Sequence, residues 1–197
     1  MLELLSDCLK ANSYYMEESL KDIPNSTCLQ SDLKVLDLYK IKVKFFNEVD
    51  GNQLTSMSAG YFSFLRETIY FIQILSPEAL NREKWADIEK EIKIKTKDTI
   101  ITILGIVGHK SIDKIFYRYL YERNGIKIKT LIVSDIDYVG STIFQFSNLD
   151  SLYPFHEPAG KIKNPQLFNC DELCDIITKS STARSGDNFS EARTFAD

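Results

Sequence analysis

The sequence is poor in the residues that mark several classes of protein. Its 197 residues include only four cysteines, five prolines, eight glycines and two histidines. So few cysteines argue against a disulfide-rich scaffold, and so little proline and glycine excludes collagen-like and low-complexity chains. The longest apolar stretch, Ile100 to Val107, is far too short to cross a bilayer. We therefore expect a globular chain with no membrane span.

An excess of basic residues is also missing. The chain has 24 lysines and arginines against 28 acidic residues, a net charge of −4. Any contact with DNA must therefore come from a local basic patch. Glu3 and Asp7 interrupt the first residues before an apolar targeting segment can form. We therefore expect an intracellular protein.

The four cysteines do not form a metal-binding pattern. Cys170 and Cys174 are separated by three residues, and neither a second cysteine pair nor a histidine follows them. Cys8 and Cys28 lie far away in sequence. We expect all four to be buried thiols rather than zinc ligands or disulfide partners.

The remaining composition is that of an ordinary folded chain. Apolar residues make up 44% and charged residues 26%, and the length suits one compact domain with appendages. Residues 1–60 are expected to form an N-terminal helix and strand extension, and residues 61–178 an α/β domain. Residues 179–197 lack apolar periodicity, which predicts a disordered tail.

The first half of the chain shows two predicted strands and two predicted helices. Apolar spacing predicts a helix from Leu2 to about Leu20. Alternation with lysines at 40, 42 and 44 predicts a half-buried strand over Lys34 to Phe46. The apolar run Ile69 to Leu75 predicts a buried strand, after which Ser76 is a suitable cap for a helix that reaches Ile92.

The second half repeats the alternation of strand and helix. The β-branched segment Thr99 to Val107 predicts a strand, the segment Ser111 to Leu120 a helix, and Ile126 to Val133 another strand. Alternating short strands and helices indicate right-handed crossovers. The predicted fold class is therefore α/β, a Rossmann-like parallel sheet with helices on both faces. Prolines then predict a loop through Pro165, followed by a short helix over Asp171 to Thr178.

Asp135 and Asp137 follow the predicted strand that ends at Val133. Ligands of parallel sheets bind at the carboxyl ends of the strands, and two aspartates two residues apart can hold one Mg²⁺ through hard oxygen ligands. The same pair is also typical of a solvated turn. The sequence thus favours a candidate magnesium site here without excluding the simpler interpretation.

The residues around this pair resemble a known family. The segment Asp135 to Ile143 reads Asp-Ile-Asp-Tyr-Val-Gly-Ser-Thr-Ile. It is similar to the form Asp-x-Asp-Pro-x-Gly-x-x-Ile of the Toprim domain in the topoisomerase VI A subunit and its meiotic double-strand-break relatives. The resemblance covers Ile72 to Ile143, where a glycine-ended strand and a helix precede the aspartates.

The resemblance implies a Toprim-like fold, Mg²⁺ held by Asp135 and Asp137, and DNA as the partner. It implies a nuclear location in a eukaryote and a cytoplasmic one otherwise. The glutamate that ends the first strand in the family falls near Ser76 here, so Glu78, two residues later, is the candidate catalytic acid-base or metal partner. The family's break-forming tyrosine lies on a separate domain, and Tyr70, in a partly similar string, is expected to pack in the core.

Three functional hypotheses remain open at this point. The first is a Mg²⁺-dependent topoisomerase-like or nuclease-like enzyme that acts on or holds DNA phosphodiesters. The second is a catalytically degenerate Toprim-fold subunit that binds a protein partner or DNA, which the serine at position 76 favours. The third is a phosphohydrolase similar to the haloacid dehalogenases, with Asp135 as its nucleophile.

Two further groups of residues have a DNA-binding and a structural interpretation. Alternating lysines could form a basic rim on the sheet, although such lysines also solubilise a strand edge. Aromatic residues before and within the predicted strand Ile69 to Leu75 could stack on bases, although core burial is favoured. The lysines are Lys93, Lys95, Lys97, Lys127 and Lys129, and the aromatics are Tyr61, Phe62, Phe64, Tyr70 and Phe71.

Overall fold

The computed structural model describes residues 2–82, 85–109, 127–135 and 162–182. The helices of these ranges are α1 (Leu2–Ala11), α2 (Leu38–Glu48), α3 (Pro77–Arg82), α4 (Trp85–His109) and α5 (Cys170–Thr182). The strands are β1 (Glu17–Ser19), β2 (Lys34–Asp37), β3 (Ala59–Ser63), β4 (Thr68–Ile74), β5 (Lys127–Val133) and β6 (Ile162–Phe168). Short 3₁₀ helices follow β1 and β3, at Leu20–Asp22 and Phe64–Arg66.

The six strands form one mixed sheet in the order β1-β2-β3-β4-β5-β6. The pairs from β1 to β4 are antiparallel, whereas β4 pairs with β5, and β5 with β6, in parallel. The prediction of a wholly parallel sheet is therefore wrong for its first half. The link between β3 and β4 is only four residues long and ends at Glu67 in the left-handed region, with φ 45°. So short a link permits only antiparallel pairing, because parallel strands need a long crossover.

Helices and loops cover both faces of the sheet, as predicted. On one face, α1, α2 and α4 bury Leu5, Phe45 and Ile106 against Phe71 and the rest of that face. On the other face, α5 and the segment 20–33 pack on the alternate side chains of the same strands. This second cluster includes Leu20, Ile23, Cys28, Tyr70, Ile72, Leu131, Val133, Leu173 and Ile177.

The predicted strand over Thr99 to Val107 is wrong, because these residues form the second half of α4. Their burial follows a helical stripe: Thr99, Ile103 and Ile106 are buried, whereas Ile101 is exposed. Thr102 donates its hydroxyl hydrogen bond to the carbonyl of Asp98, one turn earlier, at 2.9 Å. β-Branched residues cost a helix only a few tenths of a kcal/mol each, so packing against the sheet outweighs their strand preference.

The predicted strand over Lys34 to Phe46 is wrong beyond its first four residues. β2 ends at Asp37, whose side chain accepts a hydrogen bond from the backbone N–H of Lys40 at 2.8 Å and so caps α2. Ile41 and Phe45 then point into the core at the spacing of a helix face. The alternating lysines that suggested a strand therefore lie on a helix.

The first and last predicted strands of the α/β unit are confirmed as β4 and β5. The short helix predicted from Asp171 is confirmed as α5. The loop predicted through Pro165 is wrong in part, because this proline lies inside β6. The register between β5 and β6 shifts between Lys129 and Leu131, so the proline, which cannot donate a ladder hydrogen bond, lies beside a bulge.

The described residues reach both sides of the expected boundary at residue 60. β3 spans that position and pairs with β2 on one side and β4 on the other, so the N-terminal segment and the later strands share one sheet. The predicted helix over Ser111 to Leu120, the residue Asp137 and most of the predicted tail lie outside the described residues.

Gly105 of α4 packs directly against the ring of Phe45. A Cβ atom added at position 105 would lie 2.8 Å from Cζ of Phe45 and 2.9 Å from its Cε1. Overpacking a core typically costs about 1–3 kcal/mol, against about 1 kcal/mol gained by alanine over glycine in a helix. We expect Gly105→Ala to lower the free energy of unfolding by roughly 1 kcal/mol in urea titrations.

The control for this prediction is the same substitution beside a smaller neighbour. Phe45→Leu removes the two ring atoms that a Cβ atom would approach. In the Phe45→Leu background, Gly105→Ala is therefore expected to raise the urea midpoint rather than lower it. A stabilising effect of Gly105→Ala in the wild-type chain would contradict the packing described here.

Candidate functional site

The carboxyl ends of β4, β5 and β6 meet at one edge of the sheet. Ile74 lies opposite Val133, which in turn lies opposite Phe168. The pairing continues for one more residue, because the N–H of Leu75 donates to the carbonyl of Val133 at 2.9 Å and that of Ser134 to the carbonyl of Phe168 at 3.1 Å. The residues that follow the three strands therefore lie next to one another.

Asp135 lies at this edge, two residues after the end of β5. Its side chain is exposed, and its backbone N–H donates to the hydroxyl oxygen of Thr27 at 3.2 Å. The predicted strand-end position of Asp135 is thus confirmed. Its predicted companion Asp137 lies outside the described residues.

Glu78 lies at the same edge, in the first turn of α3 after β4, and is exposed. The predicted cap of this helix is confirmed, because Ser76 accepts a hydrogen bond from the N–H of Ala79 at 3.2 Å. Ser76 therefore serves the backbone at the position where the resemblance calls for a glutamate. The nearest carboxylate after β4 is that of Glu78.

The third strand end leads into α5 through a reciprocal cap. The N–H of Glu172 donates to Oδ1 of Asn169 at 2.7 Å, and the N–H of Asn169 donates to Oε2 of Glu172 at 3.0 Å. This arrangement satisfies donors that the helix itself leaves unpaired. It fixes the start of α5, whose first residue is Cys170, directly after the end of β6.

Cys170 forms a disulfide with Cys28, and the prediction that all four cysteines are thiols is therefore wrong. Cys28 is separated from its partner by 142 residues and belongs to the segment that covers the second face. It directly follows Thr27, which contacts Asp135. Sequence spacing could not reveal this pair, because the fold brings the two residues together.

Polar side chains that the sequence did not single out lie behind the edge. Gln73 lies opposite Ile132, and Thr130 and Ser134 stand two residues to either side of Ile132. Gln73 donates to the carbonyl of Ile74 at 3.0 Å. Its Oε1 and the hydroxyls of Thr130 and Ser134 are buried without a hydrogen-bond partner among the described residues. Most buried polar atoms in folded proteins have a hydrogen-bond partner. These three side chains therefore stand out as a polar group within an otherwise apolar layer.

The lysines expected at a strand edge are arranged differently. Those from position 93 to 97 lie on α4, where Lys95 forms an ion pair with Glu91 at 2.6 Å. Lys129 lies on β5, with its Nζ 5.6 Å from the ring centre of Tyr70. The three lysines from position 93 to 97 therefore do not form a rim on the sheet.

The expected burial of the aromatic group is largely confirmed. Tyr70 and Phe71 are each 1% exposed and Phe62 is 7% exposed, whereas Phe64 is 43% exposed. Tyr61 is half-buried. Tyr70 therefore packs in the core, as expected from its place in β4, and is withdrawn from any role at the surface.

A separate depression of about 580 Å³ lies beside α2, away from the strand ends. Its lining includes Lys44 and Glu48, and the hydroxyl of Tyr14 donates to Oε2 of Glu48 at 2.6 Å. Burial, together with this carboxylate, raises the pKa of Tyr14 well above its ordinary value. The phenol therefore stays protonated and acts as a hydrogen-bond donor that links the segment after α1 to the end of α2.

The donor atoms at the edge suit a hard divalent cation. No group of three or more histidine, cysteine, aspartate or glutamate side chains is arranged for a metal within the described ranges. Mg²⁺, however, is commonly bound by one or two carboxylates together with water and phosphate oxygens. Asp135 and Glu78 offer such carboxylates on neighbouring strand ends.

Comparisons with known proteins add no relative to this description. No family model, no curated protein and no solved structure matches the chain. Within the part of the chain that the structure describes, no helix is long and apolar enough to span a membrane. The function must therefore be argued from the residues and their placement.

Proposed function

We propose that the chain is a Toprim-like protein that binds Mg²⁺ at the carboxyl edge of its parallel strands and acts on or holds DNA phosphodiesters. The observation that carries the proposal is the parallel register of β4 and β5. With Ile74 opposite Val133, the segments that bear Glu78 and Asp135 leave adjacent strands at the same edge. This is the edge at which ligands bind in α/β sheets.

The proposed ligands are Asp135 and Asp137, with Glu78 as the third acidic group. Both described carboxylates are exposed, so a bound cation would keep water molecules that phosphate oxygens can replace. A divalent cation held here would stabilise negative charge on the oxygens of a phosphodiester. The resemblance to Toprim domains supplies the DNA substrate and the intracellular, in a eukaryote nuclear, location of this proposal.

A second candidate is a Toprim-like subunit that holds DNA or a protein partner without cleaving. It is favoured by Ser76, which stands where the family has its glutamate and whose hydroxyl is engaged in capping α3. In this version Glu78 has no role in proton transfer. Thr99 to Val107, which the resemblance implies to be a strand, form part of a helix in this chain. This difference also favours a diverged function.

Thermal unfolding with added Mg²⁺ or Mn²⁺ tests the proposal. A ligand that binds only the folded state stabilises it by about 2.7 kcal/mol at one hundred times its Kd. For a chain of this length that corresponds to a rise in Tm of roughly 5–10 °C. We expect the full rise in the wild type and a smaller rise in Glu78→Gln. The Asp135→Asn, Asp137→Asn double variant is expected to show no rise.

The matched control is Asp7→Asn, which neutralises an exposed aspartate on α1 that follows no strand. It should keep the full metal-dependent rise.

Binding of a labelled DNA duplex, followed by fluorescence anisotropy, separates the two candidates. DNA binding that needs the cation and both aspartates supports the proposal, whereas DNA binding without any metal effect supports the non-cleaving subunit. A wild type whose Tm ignores both cations refutes the metal site.

A further inference from the structure

Three of the four cysteines lie close together where α5 begins. Cys28 and Cys170 are joined by the disulfide, and Cys174 lies one helical turn after Cys170. The Sγ atom of Cys174 is 3.2 Å from the hydroxyl oxygen of Ser31. The N–H of Ser31 in turn donates to the carbonyl of Cys28 at 3.1 Å. The chain from Cys28 to Ser31 is therefore a tight turn that lies against the thiol of Cys174.

The geometry of an α-helix limits which of these cysteines can be joined. Residues four apart on a helix have Cβ atoms about 5–6 Å apart, whereas a disulfide needs about 3.5–4.5 Å. Cys170 and Cys174 therefore cannot pair without distorting α5. Cys28 comes from a different segment and faces this side of α5, so it is the partner that both helical cysteines can share.

We propose that Cys28, Cys170 and Cys174 form a thiol–disulfide exchange site. The thiolate of Cys174 attacks Sγ of Cys28, a bond forms between these two sulfurs, and the bond from Cys28 to Cys170 breaks. Cys170 leaves as a thiolate and takes up the proton that Cys174 has lost. One disulfide and one thiol are present before and after the step, so it needs neither an oxidant nor a reductant.

The two ends of the exchange differ in their surroundings. Cys170 is the first residue of α5, where the partial positive charge of the helix N-terminus favours a departing thiolate and the carboxylates of Asp171 and Glu172 in the same turn oppose it. Cys28 is 2% exposed, so a neighbouring thiol of the same chain reaches its sulfur more readily than a dissolved thiol does. Internal attack by Cys174 is therefore the favoured route.

The exchange would move a covalent tether close to Asp135. Thr27 directly precedes Cys28 and accepts the hydrogen bond from the N–H of Asp135. Moving the tether from Cys170 to Cys174 shifts it by slightly more than one turn, roughly 6 Å, along α5. The site thus has two covalent states that differ in how the Thr27 segment is held against the strand end.

Peptide mapping of disulfides tests the exchange. Thiols are blocked with an alkylating agent under acidic quench, and the chain is cut after glutamate, which separates Cys170 from Cys174 at Glu172. In the wild type we expect a fraction of molecules with Cys28 linked to Cys174 and with the alkyl label on Cys170. If, among these three cysteines, the label stays confined to Cys174 at all incubation times, the proposal is overturned.

A substituted chain gives a second, independent result. In Cys170→Ser treated with oxidised glutathione, we expect Cys28 to link to Cys174, whereas in Cys170→Ser, Cys174→Ser the alkyl label should appear on Cys28. Both variants are compared in a Cys8→Ser background, which removes the fourth cysteine as a partner, and their folding is checked by circular dichroism. A folded Cys170→Ser chain in which Cys28 and Cys174 both remain thiols would disprove the exchange.

Discussion

Replacing Cys28 by serine is expected to lower the free energy of unfolding by about 2–5 kcal/mol. The bond to Cys170 closes a loop across 142 residues, and long loops lose the most conformational freedom in the unfolded chain. It also fixes the segment that covers the second face of the sheet to α5. Urea titration of the oxidised protein should show the loss as a lower midpoint.

Reduction is the matched control for this prediction. With a strong reductant present, the wild type should fall to the midpoint of Cys28→Ser, and the variant itself should not change. Because Cys28 has an alternative partner in Cys174, Cys170→Ser is expected to lose less stability than Cys28→Ser under oxidising conditions. Equal midpoints for the oxidised and reduced wild type would show that the bond does not constrain the fold.

Replacing Phe45 by alanine is expected to cost about 3–5 kcal/mol, the usual cost of removing a buried aromatic ring. The side chain lies where α2 meets α4 and is 7% exposed. Its ring centre lies 5.2 Å from that of Phe46 and 6.4 Å from those of Tyr14 and His109. Because Phe45 lies within the buried cluster of this face, the alanine is expected to leave a cavity that the surrounding side chains fill only in part.

The comparison variant is Phe64→Ala, which removes the same ring from a position that is 43% exposed. Phe64 contacts Phe62 edge-on, a pair worth about 1 kcal/mol. Chemical unfolding should therefore show a several-fold smaller loss for Phe64→Ala than for Phe45→Ala. Similar losses for the two variants would place Phe45 outside the core.

The elements that the sequence predicted correctly have strong local patterns. β4 is a run of apolar residues that is buried throughout, and α5 follows a capping asparagine. The second half of α4 was predicted as a strand because its threonines and isoleucines favour strands. The helix is stabilised there by packing against Phe45 and the sheet, and both are distant from it in sequence. The antiparallel half was missed because neither β1 nor β3 was predicted and because the residues of α2 were predicted as a strand.

The candidate site divides in the same way. The strand-end position of Asp135 could be predicted, since a β-branched segment followed by acidic residues is a local feature. Thr27 and Cys28 could not be placed beside it, because more than one hundred residues separate them from Asp135 along the chain. Ser76 could be predicted as a cap from its neighbour Pro77, and this local role accounts for the serine there.

The disulfide also bears on the expected intracellular location. Persistent disulfides belong to oxidising compartments, whereas those found in the cytosol are usually transient and take part in catalysis or redox sensing. A third thiol beside the bond fits the second case. For an intracellular protein, the cysteine cluster is therefore expected to change state with the redox conditions of its compartment.

The bond between Cys28 and Cys170 also makes residues 28–170 a covalent ring. A protease that cuts one peptide bond between these residues opens the ring but releases nothing. On a gel without reductant the cut molecule keeps its full mass, and only reduction separates the pieces. Cleavage of a peptide bond between these residues therefore changes the mass on the gel only after the disulfide is reduced. Cleavage and the loss of a fragment are thus two separate events.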